Sequence, residues 1–216
     1  MSAKDLNDLS KKRFLDTSLI DFLLQNCLSE VVTSSTNLFV GSALFPTTIA
    51  KVDNDIFEEA KTKKVQQRRV ERKRASLARF SDIPVTFLMP VIEEGHFFVL
   101  EIDVDPNDAD FYLSVRCYDS MEMPTRTVTR VRSERNTVKL EKASASVENM
   151  DLWFRNYIYG VKETAVKPID LLTFHECPHQ TNGHDCGLFL LGVTLHLACR
   201  LSVDKDTFVQ GDVSFM

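Results

Sequence analysis

No apolar run in this chain reaches the roughly 20 residues that a membrane-spanning helix needs, and no hydrophobic stretch follows Met1. Neither a span nor a secretory leader is therefore expected. The cysteines do not make a disulfide framework: there are five, an odd number, and none forms a C-x-x-C pair. That points to a reducing compartment, cytoplasm or nucleus. An excess of positive charge is also missing. At a net charge of −5 the chain offers no overall reason to expect nucleic acid as a partner. Internal repeats and low-complexity blocks are absent, which excludes solenoids and arrays. What is present is 216 residues, 44% apolar and 26% charged, enough for one globular domain with an ample core and monomeric by default.

Along the chain, residues 1–13 are polar and read as a flexible N-terminal segment, with a single domain over 14–216. Leu19, Ile20, Leu23, Leu24, Cys27 and Leu28 lie on one face of a helix, for which Asp16 or Thr17 is a suitable N-cap. Residues 31–55 read as irregular. Residues 58–79 hold nine Lys or Arg against three Glu, a local charge of +6 that leaves −11 elsewhere. The segment reads as a solvated surface helix, with docking of an acidic partner as the alternative. Residues 83–92 form a strand bounded by Pro84 and Pro90, followed by strands at 96–104 and 111–119 around a turn at 105–110. Residues 120–146 are mixed and polar, loop with some helix. Val147, Met150, Trp153, Phe154, Tyr157 and Ile158 then recur at helical spacing, and 171–174 is a last short strand.

The chemistry concentrates in residues 178–189. Polar, turn-forming Thr181, Asn182, Gly183, His184 and Asp185 run into Cys186, after which Leu188 to Ala198 is apolar enough all round for a helix buried in a core. Cys186 then sits in the first helical turn, where unpaired N–H groups and the helix dipole favour a thiolate. Gly187 behind it permits close approach of backbone to a ligand. The remaining cysteines, Cys27, Cys117, Cys177 and Cys199, read as packing or incidental surface.

A base for this thiol comes from the hairpin. Folded symmetrically about Asn107 and Asp108, it sets His96 opposite Asp119 on the neighbouring strand, with an offset turn the alternative. His96 would take the thiol proton and Asp119 would orient the imidazole. Gln180, six residues before Cys186, could donate to a developing oxyanion together with the Cys186 backbone N–H. A metal site is the competing reading of the stretch, since His175, Cys177, His179, His184 and Cys186 crowd together. Structural zinc wants a second, separated ligand pair, and the chain has none elsewhere, so no metal or other cofactor is expected.

With Gln180, Asn182, Asp185, Cys186 and Gly187 in place, the chain resembles the Ulp/SENP family of ubiquitin-like-protein-specific cysteine proteases. That family carries a Gln-x-Asn-x-x-Asp-Cys-Gly segment, a histidine opening a strand that ends in Ile-Asp (here His96 through Ile102 and Asp103), and an aspartate in Tyr-Asp-Ser (here Tyr118, Asp119 and Ser120). The resemblance runs from about residue 14 to 200. It implies an α+β, papain-like fold with a small, mainly antiparallel sheet packed between helices. It also implies cleavage after the Gly-Gly tail of a modifier: SUMO first, with ubiquitin or a neddylation-type modifier as rival substrates. Two rival activities fit the same residues, an acyltransferase and a module that binds the modifier without cleaving it. The sites implied are His96, Asp119, Cys186 and Gln180 for chemistry, and Phe14, Phe97, Asn182, Asp185 and Gly187 for substrate. Where the family has two tryptophans walling a narrow tunnel for the tail, this chain has Phe14 and Phe97, which keep an aromatic wall but lose area and the indole N–H.

Overall fold

The computed structural model describes residues 15–34, 37–43, 82–93, 95–121, 141–152, 154–155, 159 and 164–202. The terminal segment 1–13, Phe14, the basic segment 58–79 and, from the apolar stripe, Trp153, Tyr157 and Ile158 lie outside the described residues.

Helix α1 (Thr17–Ser34) starts where the Asp16 carboxylate accepts the Ser18 N–H at 2.8 Å, so Asp16 rather than Thr17 is the cap. Leu19, Ile20, Leu24 and Leu28 form its buried stripe. α1 runs on to Ser34 and a three-residue strand β1 (Leu38–Val40) follows, so residues 31–34 and 38–40 are more regular than expected. Strands β2 (Val85–Glu93), β3 (His96–Val104) and β4 (Tyr112–Tyr118) form an antiparallel centre. The edges, β1 on β2 and β5 (Leu172–His175) on β4, are parallel. Pro90 lies inside β2 instead of ending it. The β1 ladder stops at Leu88, so the missing N–H of Pro90 breaks no bond to β1.

The sheet is covered on both faces, and β3 shows why its sequence is apolar almost throughout. Phe98, Leu100, Ile102 and Val104 point to one core with Ala143, Val147, Met150 and Phe154, from helix α2 (residues 141–152) and the residues just after it. Phe97 and Val99 point to the other, built with α1 and α3 (Cys186–Ser202). α2 begins within the stretch expected to be mostly loop. α3 is not buried all round. Cys186, Gly187, Leu190, Leu191, Thr194, Leu197 and Ala198 face the core, but Leu188 is 49% exposed. That outer face lines a cavity of about 600 Å³ with Tyr118, His175, Cys177 and Pro178.

The β3–β4 hairpin is not symmetric about Asn107 and Asp108. Two Asx turns, Asp105 Oδ1 to Asn107 N–H and Asp108 Oδ1 to Asp110 N–H, shape its tip. Phe111 sits at φ 61°, an uncommon value for a bulky residue, held by edge-on contacts with Tyr112 and Tyr159. The ladder also shifts between Asp103 and Val104. Val99 consequently pairs with Tyr118 and Asp103 with Ser114, two residues off the symmetric pairing. A slip of two keeps every side chain on its face, so His96 and Asp119 remain on one side of the sheet.

Candidate active site

His96 is delivered by a two-residue turn. Glu93 pairs with His96, and Gly95 between them takes φ 78°, which a tight hairpin needs and glycine adopts without strain. Although His96 does not stand directly opposite Asp119, it reaches it diagonally: Nε2 lies 2.8 Å from Asp119 Oδ1. The same Oδ1 accepts the Met121 N–H at 2.8 Å. Behind the pair, Phe98, Cys117, Ala143 and Phe174 leave a space of only about 20 Å³. The carboxylate is thus fixed from behind and from its own loop.

Cys186 comes from the opposite layer. It opens α3, where the Asp185 carbonyl accepts the N–H groups of Leu188 at 2.9 Å and Phe189 at 3.1 Å. The thiol is hydrogen-bonded to His96, and with Nε2 on Asp119 it is Nδ1 that remains for sulfur. Burial pulls the His96 pKa down. Hydrogen bonds to Asp119 and Cys186, with their negative charge, outweigh burial and raise it to about 9. Burial likewise pushes the Cys186 thiol up. The bond to His96, the N–H groups of Phe97 and Gly187 and the imidazolium charge outweigh it and hold the thiol below its ordinary value. Both shifts favour a thiolate–imidazolium pair, the state in which sulfur is a nucleophile and the base already holds a proton.

Gln180 is buried beside this pair. Its backbone N–H donates to the Ser120 carbonyl at 2.8 Å, its Oε1 accepts the Ser120 hydroxyl at 2.9 Å, and its Nε2 donates to the Asn182 carbonyl at 2.8 Å. Asn182 and Asp185, expected at the substrate, bond each other instead. Asn182 Nδ2 donates to Asp185 Oδ2 at 2.5 Å, while Asn182 Oδ1 accepts the N–H groups of His184 and Asp185, both at 3.0 Å. Their side chains shape the loop that hands the chain to α3.

Two further expectations change. Phe97 is buried, in the same cluster as Cys186, Leu15, Leu19 and Leu190, on the face of the sheet opposite the one that alternation gives His96. It reaches the site through its backbone N–H, not through an exposed ring. At Gly187 the close approach is to protein: a Cβ would lie 3.1 Å from Leu15 Cβ and 3.2 Å from Ile20 Cδ1, so the glycine seats α3 against α1. Among the described residues, no group of three or more His, Cys, Asp or Glu is arranged to hold a metal ion. Ser120, Met121 and Gly95 were missed from sequence, although Ser120 ends the Tyr-Asp-Ser motif that marks Asp119.

A thiol, an imidazole and a carboxylate joined in series, with an amide beside them, can carry out acyl transfer through a thioester. A family model of the Ulp1 protease family, C-terminal catalytic domain, matches residues 13–216. The chain belongs to the Ulp1 protease family. It is a cysteine protease. No curated protein matches the sequence. Solved structures share the fold of this Ulp1-family domain at low identity. One is a SUMO protease Ulp1 with its catalytic cysteine oxidised to a sulfinic acid, at TM-score 0.51 and 15% identity, covering 95% of this chain and 77% of that one. Another is a de-sumoylating protease, at TM-score 0.55 and 15% identity, covering 92% and 67%.

Proposed function

We propose that this Ulp1-family protease cleaves after the C-terminal glycine of a ubiquitin-like modifier, with SUMO the first candidate, in isopeptide or precursor bonds. The observation that carries the reading is the Cys186–His96–Asp119 series at the head of α3, with its thiol pKa lowered and its imidazole pKa raised. The names of its structural neighbours support SUMO.

The Cys186 thiolate attacks the glycine carbonyl, and the negative charge that develops on oxygen falls to Gln180 Nε2 and the Cys186 N–H. That N–H is among the first four of α3, which have no carbonyl within the helix. Collapse breaks the C–N bond, forms a thioester and sends the His96 proton to the leaving amine. Water then attacks the thioester. Its proton passes to His96, the glycine leaves as a carboxylate, and the thiolate–imidazolium pair is restored. An intracellular setting, nucleus or cytoplasm, belongs to the same proposal.

The test uses SUMO, ubiquitin and a neddylation-type modifier, each carrying an electrophile in place of its last carboxylate, with intact mass as readout. An adduct with the SUMO probe, lost in Cys186→Ala, is the expected result. An adduct with only one of the others would move the assignment to that modifier. None with any probe, from folded protein, would overturn the reading.

A further inference from the structure

A glutamine amide has two ends of nearly equal size and opposite polarity. Only one of them helps an oxyanion: turned by half a rotation, Gln180 would aim its carbonyl oxygen at the developing negative charge and oppose the reaction. What sets the rotation is therefore as consequential as the presence of the amide. We propose that Ser120 is a positioning residue that, with the Asn182 carbonyl, locks Gln180 with its NH₂ group available to substrate. The inference rests on the acyl-transfer reading of Cys186, His96 and Asp119.

The geometry admits one assignment. The Asn182 carbonyl can only accept, so the Gln180 atom 2.8 Å from it is the nitrogen. The other end of the amide is then an acceptor, and Ser120 Oγ, 2.9 Å away, has to donate to it. A serine hydroxyl alone would tolerate either orientation, since it can donate or accept; the carbonyl supplies the polarity and the hydroxyl completes it. One Nε2 hydrogen is committed to Asn182, which leaves the second for the oxyanion. Both side chains are buried, Ser120 at 4% exposure and Gln180 at 6%, so water is poorly placed to replace a lost partner. The backbone contributes as well, through Gln180 N–H to the Ser120 carbonyl and the bridge between Met121 and Gln180.

The same short segment holds the base: Asp119 Oδ1 takes both His96 Nε2 and the Met121 N–H. Residues 119–121 thus orient two different parts of the site, and an effect at Ser120 has to be assigned to one of them. Alkylation makes the separation, because iodoacetamide reacts with the Cys186 thiolate without creating an oxyanion.

The experiment compares wild type, Ser120→Ala, Ser120→Thr and Ser120→Cys on a SUMO C-terminal fluorogenic amide, alongside the rate of Cys186 alkylation and thermal unfolding of each variant. Ser120→Ala is expected to lower kcat about 10- to 100-fold, part of the loss seen when an oxyanion donor is removed outright. KM, the alkylation rate and its pH profile are expected to stay within a factor of two. Ser120→Thr should recover most of kcat; Ser120→Cys, a weak donor of similar size, should lower kcat by less than alanine does, and it carries the test by its own loss against wild type if the alanine variant does not fold. In a Gln180→Ala background Ser120→Ala should cost little more. Unchanged kcat in Ser120→Ala, or kcat and alkylation falling together, would overturn the proposal; the second result would assign Ser120 to Asp119 and His96. A wild-type protein that is alkylated normally but leaves the C-terminal amides of SUMO, ubiquitin and a neddylation-type modifier all intact would overturn the hydrolase reading, and this inference with it.

Discussion

Two carboxylate clusters occupy opposite ends of the same hairpin, and they differ in whether a proton can move. At one end Asp119 faces His96, an imidazole that gains and loses a proton within the range of protein chemistry. At the other, Asp103 accepts the hydroxyls of Thr86 and Ser114, each at 2.6 Å, and pairs with Arg116. Glu101, only 1% exposed, accepts the Tyr118 hydroxyl at 2.6 Å and pairs with Arg116 at 3.4 Å and Arg200 at 3.2 Å. Guanidinium keeps its proton at any ordinary pH, so neither arginine of this second cluster can act as a base. The cluster ties β2, β3 and β4 to the far end of α3, the helix that begins at Cys186. Burial is common to both ends; an imidazole belongs to one.

The pH dependence of stability should carry opposite signs at the two ends. Burial pushes Asp103 up, but its hydroxyl partners and Arg116 hold it below the usual carboxylate range. Its stabilising contribution is full above its unfolded value of about 3.9 and is lost as pH falls through the lowered folded value. His96 is raised to about 9. Its contribution is full below its unfolded value of about 6.5 and fades as pH rises through the folded one.

Substitutions can break the comparison, and the largest effect is expected at the imidazole end. Asp119→Asn should lower kcat by about 10²–10⁴ at unchanged fold, because an amide can hold the imidazole in the wrong tautomer and no longer stabilises its charge. Asp103→Asn, the same change at the other end, should leave kcat of the folded protein within about threefold and instead lower the denaturation midpoint. Steady-state kinetics beside urea titration checks both. Glu101→Gln should destabilise by about 3 kcal/mol, since Arg116 and Arg200 lose a buried counter-charge, again with little change in turnover. Gly187→Ala should be smaller, about 1–3 kcal/mol, from a methyl group pressed on Leu15 and Ile20. Because it sits beside Cys186, it should lower activity and stability together, unlike either cluster variant.

How much of the molecule is legible in its sequence follows from the distance over which each feature is decided. The place of Cys186 could be read because a polar turn followed by an apolar run is a local signal. The strands read at 96–104 and 111–119 could be located from their apolar, β-branched and aromatic runs and the Asp- and Asn-rich turn between them. Their register could not, because it depends on Phe111 adopting a positive φ against Tyr159, an aromatic contact 48 residues away along the chain. Gly187 looked like a ligand-binding feature because Leu15 and Ile20, which require it, are far off in sequence. That the Phe97 ring is buried could be read from the apolar run of its strand, but not that it shares a cluster with Cys186, 89 residues away along the chain. Asp103 could be read only as the end of the family's strand motif, and Glu101 and Arg116 not at all, since nothing local shows that the three enclose one another. Asn182 and Asp185 were found, but for a role at the substrate; they bond each other and build the loop.

The central claim is that Cys186 is a thiolate sustained by His96 and Asp119. Its most direct test is the rate of iodoacetamide alkylation at Cys186 against pH, read by peptide mass, in wild type, His96→Ala and Asp119→Asn. In wild type, Cys186 should react at pH values well below the ordinary thiol pKa of about 8.5. His96→Ala should move Cys186 up to or beyond the ordinary thiol value, and Asp119→Asn should move it part of the way. If Cys186 in wild type titrates at the ordinary thiol value of about 8.5, or keeps its reactivity without His96, the ion pair is not what activates this thiol.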